Sequence, residues 1–273
     1  MANQGESHRP LLRVENLEKR YGRTEVFRTG QEVAAVCGVC FSLSSGTTLA
    51  LVGESGSGKS TVALCLACLE RPSAGGIWLD EREVSSLHEK ELRSVRPELQ
   101  LVFQDPANSL NPRWTALKIV SEPLEIQARL SPRDRSERAI ALLNRVGISS
   151  EKMSQRPGEF SGGQRQRLAI ARALALTPKV LILDEALSAL DRSVQAQIAN
   201  LLLELQSSLG LAFVFITHDF MMAAHLSDQV AVMERGKIVE IGPTGSILCR
   251  PQHPTTARLL AAATSLSSPT PTL

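Results

Sequence analysis

The sequence has no run approaching the roughly 20 uninterrupted apolar residues that a membrane-spanning helix requires. Its start, Met1 to Pro10, is polar and lacks the apolar centre of a secretory signal. Phe, Trp and Tyr together make up only 4% of the 273 residues, which disfavours a stacking platform for single-stranded nucleic acid. Thirty basic against 28 acidic side chains leave a formal charge of +2, too close to neutral for a phosphate-backbone binder, so no nucleic-acid partner is expected. These absences point to an intracellular chain whose membrane role, if it has one, comes through a partner. What is present is apolar: 43% of the residues, enough to bury the core of one large or two small domains and to exclude disorder throughout.

The five cysteines are an odd number and read as reduced thiols. Cys37/Cys40 and Cys65/Cys68 form CxxC twice, a zinc-like spacing. The first pair sits in a strand-like run, Val36 to Leu43, where side chains three apart face opposite sides. The second lies in the apolar helical run Val62 to Leu69, where small buried cysteines are ordinary packing. Zinc is therefore the less favoured reading.

Short apolar runs alternate with glycine turns and helical stretches, which favours an α/β architecture over a sandwich. Strands are expected over Leu11–Leu17, Val39–Leu43, Thr47–Val52, Val180–Leu183 and Ala212–Thr217, with a hairpin of Gln229–Met233 and Ile238–Ile241 around Arg235-Gly236. Helices are expected after Thr61 to about Leu69, over Gly162–Leu176 and over Ser193–Leu209. Residues 106–160 carry helical patterning and read as an insertion, with Ser131 capping a helix that opens on Pro132. From Thr264 onward Ser, Thr and Pro predominate and disorder is expected.

The run Gly53-Glu54-Ser55-Gly56-Ser57-Gly58-Lys59-Ser60-Thr61, between a strand and a helix, matches GxxxxGK[ST] with the flanking context that motif needs. Its glycines let the backbone wrap so that N–H groups and a helix N-terminus face phosphate oxygens. Lys59 supplies charge for the outer phosphates, and the Ser60 hydroxyl suits Mg2+. A Gly/Ser turn that matches by chance is the bland alternative, and the flanking elements argue against it. Val180-Leu181-Ile182-Leu183 ends in Asp184 and Glu185, two carboxylates at a strand end, where open α/β sheets bind ligands. Asp184 can hold the magnesium shell and Glu185 can polarise an attacking water. By themselves such acids would merely meet solvent; the glycine-rich loop in the same chain reverses that balance. Ser161-Gly162-Gly163-Gln164 opens a second helix able to receive an anion.

Together these motifs, in this order from about Leu11 to Leu260, resemble the ABC ATPases. The resemblance implies a P-loop NTPase (RecA-like) core over 1–105 and 161–250, with an N-terminal antiparallel β subdomain, an inserted helical subdomain over 106–160, and a short tail over 251–273. It implies that ATP and Mg2+ are the ligands, Mg2+ being held by Ser60, Gln104 and Asp184. It implies that Tyr21 stacks on adenine, that Gln104 reaches the magnesium and senses the transport partner, and that His218 touches the terminal phosphate. Ser188-Ala189-Leu190-Asp191 resembles the loop that communicates between paired subunits. Each ATP would lie between the glycine-rich loop of one subunit and Ser161–Gln164 of another, so the resemblance implies a second ATPase subunit, identical or a paralogue. Phe160 stands where leucine commonly precedes Ser-Gly-Gly-Gln, and Ala186 where proline often follows the glutamate.

Val102-Phe103-Gln104-Asp105-Pro106-Ala107-Asn108-Ser109-Leu110-Asn111-Pro112-Arg113, with Gly53-Glu54-Ser55-Gly56 and His253-Pro254-Thr255-Thr256, resembles the dipeptide, oligopeptide and nickel uptake branch. Thr255 stands at a position that is commonly aromatic. That branch implies transmembrane permease subunits as partners, a substrate-binding protein indirectly, and a peripheral position on the cytoplasmic face of the membrane. Peptide, nickel and other metal chelates all stay open as cargo. A soluble ABC ATPase without a transport role is the alternative, and the absence of NKxD argues against a GTPase.

Overall fold

The computed structural model describes residues 9–22, 24–25, 28–29, 32–127 and 130–265. The chain opens with strands β1 (Leu12–Tyr21), β2 (Thr24–Glu25), β3 (Arg28–Thr29) and β4 (Val33–Leu43). It continues through β5 (Thr48–Val52), α1 (Lys59–Leu66), β6 (Ala74–Leu79), β7 (Arg82–Glu83), α2 (Glu89–Val95) and β8 (Leu99–Val102). Helices α3 (Pro106–Ser109), α4 (Ala116–Gln127), α5 (Pro132–Arg145) and α6 (Gly162–Leu174) follow. The last third is β9 (Val180–Asp184), α7 (Arg192–Leu209), β10 (Ala212–Thr217), α8 (Phe220–Leu226), β11 (Gln229–Glu234), β12 (Lys237–Pro243), α9 (Thr244–Cys249) and α10 (Pro254–Ser265).

Two larger sheets organise most of these elements, and β2 and β3 pair with each other as a two-stranded hairpin. β4-β1-β6-β7 form an antiparallel sheet, and β12-β11-β5-β10-β9-β8 form a sheet that is parallel except for its β12 edge. Strands β5 and β10 are buried along their whole length, which explains why their sequences are continuous apolar runs rather than alternating ones. Alternate residues serve opposite faces of the sheet. Ala50, Val52, Leu181, Leu183, Phe213 and Phe215 join the core under the helices, whereas Leu49, Leu51, Val180, Ile182, Val214 and Ile216 join the core shared with α1 and the antiparallel sheet.

Among the described residues, every regular element within 106–160 is helical, with α4 and α5 packed on each other and on α6. Ser131 accepts from the Asp134 N–H at 3.2 Å, and Pro132 occupies the first helical position, where its missing N–H costs nothing.

Several expected boundaries move. Helix α1 stops at Leu66, not Leu69, because the chain turns back at Cys68, which takes a left-handed φ of 54°. Helix α6 ends at Leu174, two residues before the expected Leu176, and Thr177 then adopts a left-handed φ of 52°. Strand β1 extends to Tyr21, and β4 starts at Val33 rather than Val39, since each supplies the other's backbone partners in a register broken by bulges. The expectation of disorder from Thr264 fails at its start: α10 runs to Ser265 and packs against α8 and β11, with Thr255 and Thr256 buried. Residues 266–273 lie outside the described residues.

Cys37 and Cys40 flank Gly38, whose φ is 75°, and Cys40 is exposed. Burial pushes the Cys65 and Cys68 thiols up to about 11, the wrong direction for thiolate ligands. Among the described residues no cluster of His, Cys, Asp or Glu could hold a metal by itself, and no helix is long and apolar enough to cross a membrane.

Candidate functional site

The parallel register brings four sequence features to one end of the sheet. Val52 lies opposite Thr217, Ile216 opposite Asp184, and Leu183 opposite Val102. The loop after β5, the acids at the end of β9, His218 after β10 and Gln104 after β8 therefore emerge side by side at the carboxyl ends of their strands.

The loop Gly53–Gly58 is locked in place from behind. A Cβ at Gly53 would come within 2.2 Å of the Met233 carbonyl oxygen, and one at Gly58, whose φ is 103°, within 2.2 Å of the Ala35 oxygen. The Gly236 N–H donates to the Ser57 carbonyl at 2.9 Å, tying the loop to the β11–β12 turn. Gly56 also has a positive φ, 81°, which suits a loop that turns its N–H groups inward. Lys59 is buried, and its ammonium donates to the carbonyls of Gly53 (2.8 Å) and Glu54 (2.9 Å) and lies 3.4 Å from Ser57 Oγ. Burial lowers the Lys59 pKa, and the nearby Glu185 and Asp184 carboxylates oppose that shift. The Glu54 side chain points elsewhere: it accepts from Arg258 at 3.1 Å. Thr61 is partly buried in the first turn of α1.

Ser60 Oγ donates to Asp184 Oδ1 at 3.1 Å across 124 residues of chain. Desolvation raises the Asp184 pKa, Glu185 adds to the rise, and the Ser60 hydroxyl and Lys59 counteract it. A desolvated carboxylate beside a hydroxyl is a hard-oxygen pair that a divalent cation would stabilise, so the donor set fits Mg2+. Gln104 Nε2 lies 3.5 Å from Ser188 Oγ. Glu185 holds a left-handed φ of 46°, and its N–H donates to the Ile216 carbonyl at 2.9 Å. Such a backbone costs a non-glycine residue about 1–2 kcal/mol and turns its carboxylate toward the edge. Glu185 Oε2 lies 3.5 Å from His218 Nδ1. Buried Ala186 occupies the next position without proline's constraint.

Other expected residues sit apart from this cluster. Ser161 and Gln164 form a reciprocal cap at the start of α6: the Gln164 N–H donates to Ser161 Oγ at 3.3 Å and the Ser161 N–H to Gln164 Oε1 at 3.1 Å. Asp191 caps α7, accepting from the Val194 N–H at 3.0 Å, a bond that holds its carboxyl below the usual range. Tyr21 is partly exposed at the end of β1, its ring 5.0 Å from Lys19 Nζ. Among the described residues, no hydrogen bond or ion pair joins Tyr21, Ser161–Gln164 or Asp191 to the Gly53–Thr61 loop.

Sequence reasoning missed the residues that brace the site. Met233, Ala35 and Gly236 hold the loop through backbone atoms, which leave no mark in a motif. Arg258 links Glu54 with Glu234 (3.5 Å), and Thr255 donates to Glu234 at 3.0 Å. Gly162 and Gly163 are also required by packing. A Cβ at Gly162 would lie 3.3 Å from Leu190 Cδ2, and one at Gly163 2.5 Å from Val194 Cγ1. The glycines thus let α6 pack on the Ser188–Asp191 loop and α7.

Gly163→Ala should therefore destabilise the chain by about 1–3 kcal/mol despite alanine's higher helix propensity, because a β-branched Val194 cannot rotate away. Adding Val194→Ala should restore most of the melting temperature. Failure of the second change to rescue the first would show that this contact is not what requires glycine.

With the geometry established, three comparisons bear on it. The sequence model of the family described as ABC transporter matches residues 36–188. A probable peptide ABC transporter ATP-binding protein, y4tS of Sinorhizobium fredii, is 50% identical over 255 residues, 93% of this chain and 72% of that protein. The glutathione import ATP-binding protein GsiA of Escherichia coli is 48% identical over 255 residues, but the chain spans only 41% of its length. Among solved structures, the dimeric post-hydrolysis ATP-binding cassette MJ0796 bound to ADP and Pi aligns with a TM-score of 0.76 and 30% identity, over 85% of this chain and 98% of that one. The structure of cbiO1 from Clostridium perfringens, part of the ABC transporter complex cbiONQ, aligns at 0.77 with 28% identity, over 95% and 99%.

Proposed function

Because the chain belongs to the ABC transporter family and is one of its ATPases, we propose that it is the ATP-hydrolysing subunit of an importer for small peptides. The observation that carries this reading is the alignment of β5, β9 and β10, which gathers Lys59, Asp184, Glu185 and His218 at the carboxyl ends of these strands. The peptide assignment, rather than nickel or another chelate, is supported by what y4tS and GsiA are named for.

The N–H groups of residues 53–61 bind the phosphates of ATP, and Lys59 exchanges its bonds to the Gly53 and Glu54 carbonyls for phosphate oxygens. Tyr21 faces the adenine. Ser60, Asp184 and Gln104 would hold Mg2+, which would neutralise charge on the outer phosphates. Glu185 accepts a proton from a water attacking the terminal phosphorus. As the new phosphorus–oxygen bond forms, the bond to the bridging oxygen breaks, giving ADP and phosphate. His218, 3.5 Å from Glu185, hydrogen-bonds the terminal phosphate and orients it toward that water.

Ser161–Gln164 close on the nucleotide of a second ATPase subunit, identical or a paralogue, and Asp191 lies in the loop facing it. ATP binding joins the two subunits and hydrolysis separates them, which requires different nucleotide affinity in the two states. The pair attaches peripherally to the cytoplasmic face of transmembrane permease subunits, which a substrate-binding protein supplies.

Native detergent extraction followed by mass spectrometry of the captured complex tests this reading. Permease subunits and a second ATP-binding chain are expected with it, and purified vesicles should take up dipeptide only with ATP. Capture of ribosomal or DNA-bound partners in place of a permease would favour the soluble alternative.

A further inference from the structure

A second cavity, about 710 Å³, opens at the other end of the parallel sheet, where the chain enters β5, β9 and β10. That is the size range of small-molecule sites. Its walls are apolar: Leu142 of α5, Leu174 at the end of α6, and Leu209 and Leu211 on either side of the turn from α7 into β10. Leu209 is 40% exposed, an uncovered apolar surface within a concave site. Helix α5 presents Arg138, Ala141, Leu142 and Arg145 to it, the spacing of one helical face.

The charges around the cavity are unevenly matched. Lys179 pairs with Asp80 and with Glu98, both at 2.5 Å, and Arg9 pairs with Glu81. Arg138 and Arg145 meet only hydroxyls, Thr177 Oγ1 at 3.5 Å and Ser208 Oγ at 2.6 Å. Among the described residues neither has a carboxylate within ion-pair distance. The C-terminal end of α7, where the Gly210 carbonyl accepts from Ser45 Oγ at 3.2 Å, contributes partial negative charge but no carboxylate to them. Two unmatched guanidinium groups at the rim of an apolar hollow call for an anionic head on an apolar body.

We propose that this cavity binds a small amphipathic monocarboxylate, an aryl or short acyl body with its carboxylate on Arg138 or Arg145. The apolar part lies against Leu142, Leu174, Leu209 and Leu211. An occupant touches α5 and the ends of α6 and α7 together, so it bridges the helical segment to the sheet. The nucleotide residues lie at the opposite strand ends, and this site stands whether or not the importer reading holds.

The probe is 2-naphthoate, with 2-naphthylmethanol as its uncharged counterpart, added to the full chain and followed by calorimetry. One naphthoate per chain is expected, bound at least tenfold more tightly than the alcohol. The exposed-face double variant Arg138→Gln/Arg145→Gln should lose that tenfold preference while binding the alcohol as before, and Leu142→Trp should exclude both probes. Circular dichroism verifies that the variants are folded, and ATP should not displace the probe. Equal affinity for acid and alcohol, an unchanged preference in the double variant, or displacement by ATP would each overturn the proposal.

Discussion

Replacing Glu185 with glutamine is expected to lower steady-state ATP turnover by about 10²- to 10⁴-fold, the usual cost of losing a general base, while ATP still binds. The change is nearly isosteric and leaves the left-handed backbone at φ 46° and its N–H bond to the Ile216 carbonyl as they are. What it removes is the acceptor for the proton of the attacking water. With hydrolysis blocked, ATP should remain clamped between two subunits, and a dimer should accumulate on size-exclusion chromatography in its presence. Phosphate release measures the first effect and elution volume the second. Turnover near the unaltered rate would remove Glu185 from the role proposed for it, and lost turnover with ATP bound but no ATP-dependent dimer would count against the two-subunit arrangement.

Replacing Lys59 with alanine is expected to act earlier, on binding itself. Charge-assisted hydrogen bonds are worth about 1.5–3 kcal/mol each, so losing two to phosphate oxygens weakens ATP binding by about a hundredfold or more. Turnover should fall below detection at ordinary ATP concentrations. The ammonium is at present held by two loop carbonyls, so the altered chain also frees acceptors that face the loop interior. Circular dichroism separates a folded chain that no longer binds from one that has come apart. Calorimetry on folded material then decides the matter: full uptake of ATP by the alanine variant would exclude the phosphate role of Lys59.

The two variants fail in different ways, and that difference separates binding from chemistry. Lys59 opens α1 directly after the glycine-rich loop, with its ammonium on the loop carbonyls; Glu185 lies beyond Asp184, next to His218. If both changes abolished binding, the division of labour between the glycine-rich loop and the end of β9 would be wrong.

Much of the site was legible because its motifs record local backbone demands. Gly56 and Gly58 take positive φ values that the loop's turns need, and Ser161 and Gln164 form the reciprocal cap that their spacing encodes. The strand cores were legible because buried parallel strands are continuous apolar runs. The ends of elements were harder. Cys68 and Thr177 carry no glycine signal, yet both turn left-handed and stop α1 and α6 short. The end of α10 was misread because Thr264 and Ser265 have the composition of a loose tail, while packing of Leu259 and Leu260 against the helical core carries the helix as far as Ser265. The requirement for Gly163 was read as an anion-receiving helix start; its clash distance to Val194 was invisible without the packed pair.

Alone, the sequence determined the glycine-rich loop, the paired acids, the capped second glycine motif and, through their order, membership of the ABC transporter family. These are short-range patterns, and each is fixed by what a few adjacent residues can do with their own backbone. The tertiary structure decided which strand ends are neighbours, why Ser60 meets Asp184 across 124 residues, and that a basic-rimmed apolar hollow opens at the far ends of the same strands. Strand order and helix docking arise from contacts between distant segments, and no local pattern of residue types encodes which of several equally apolar strands will lie side by side.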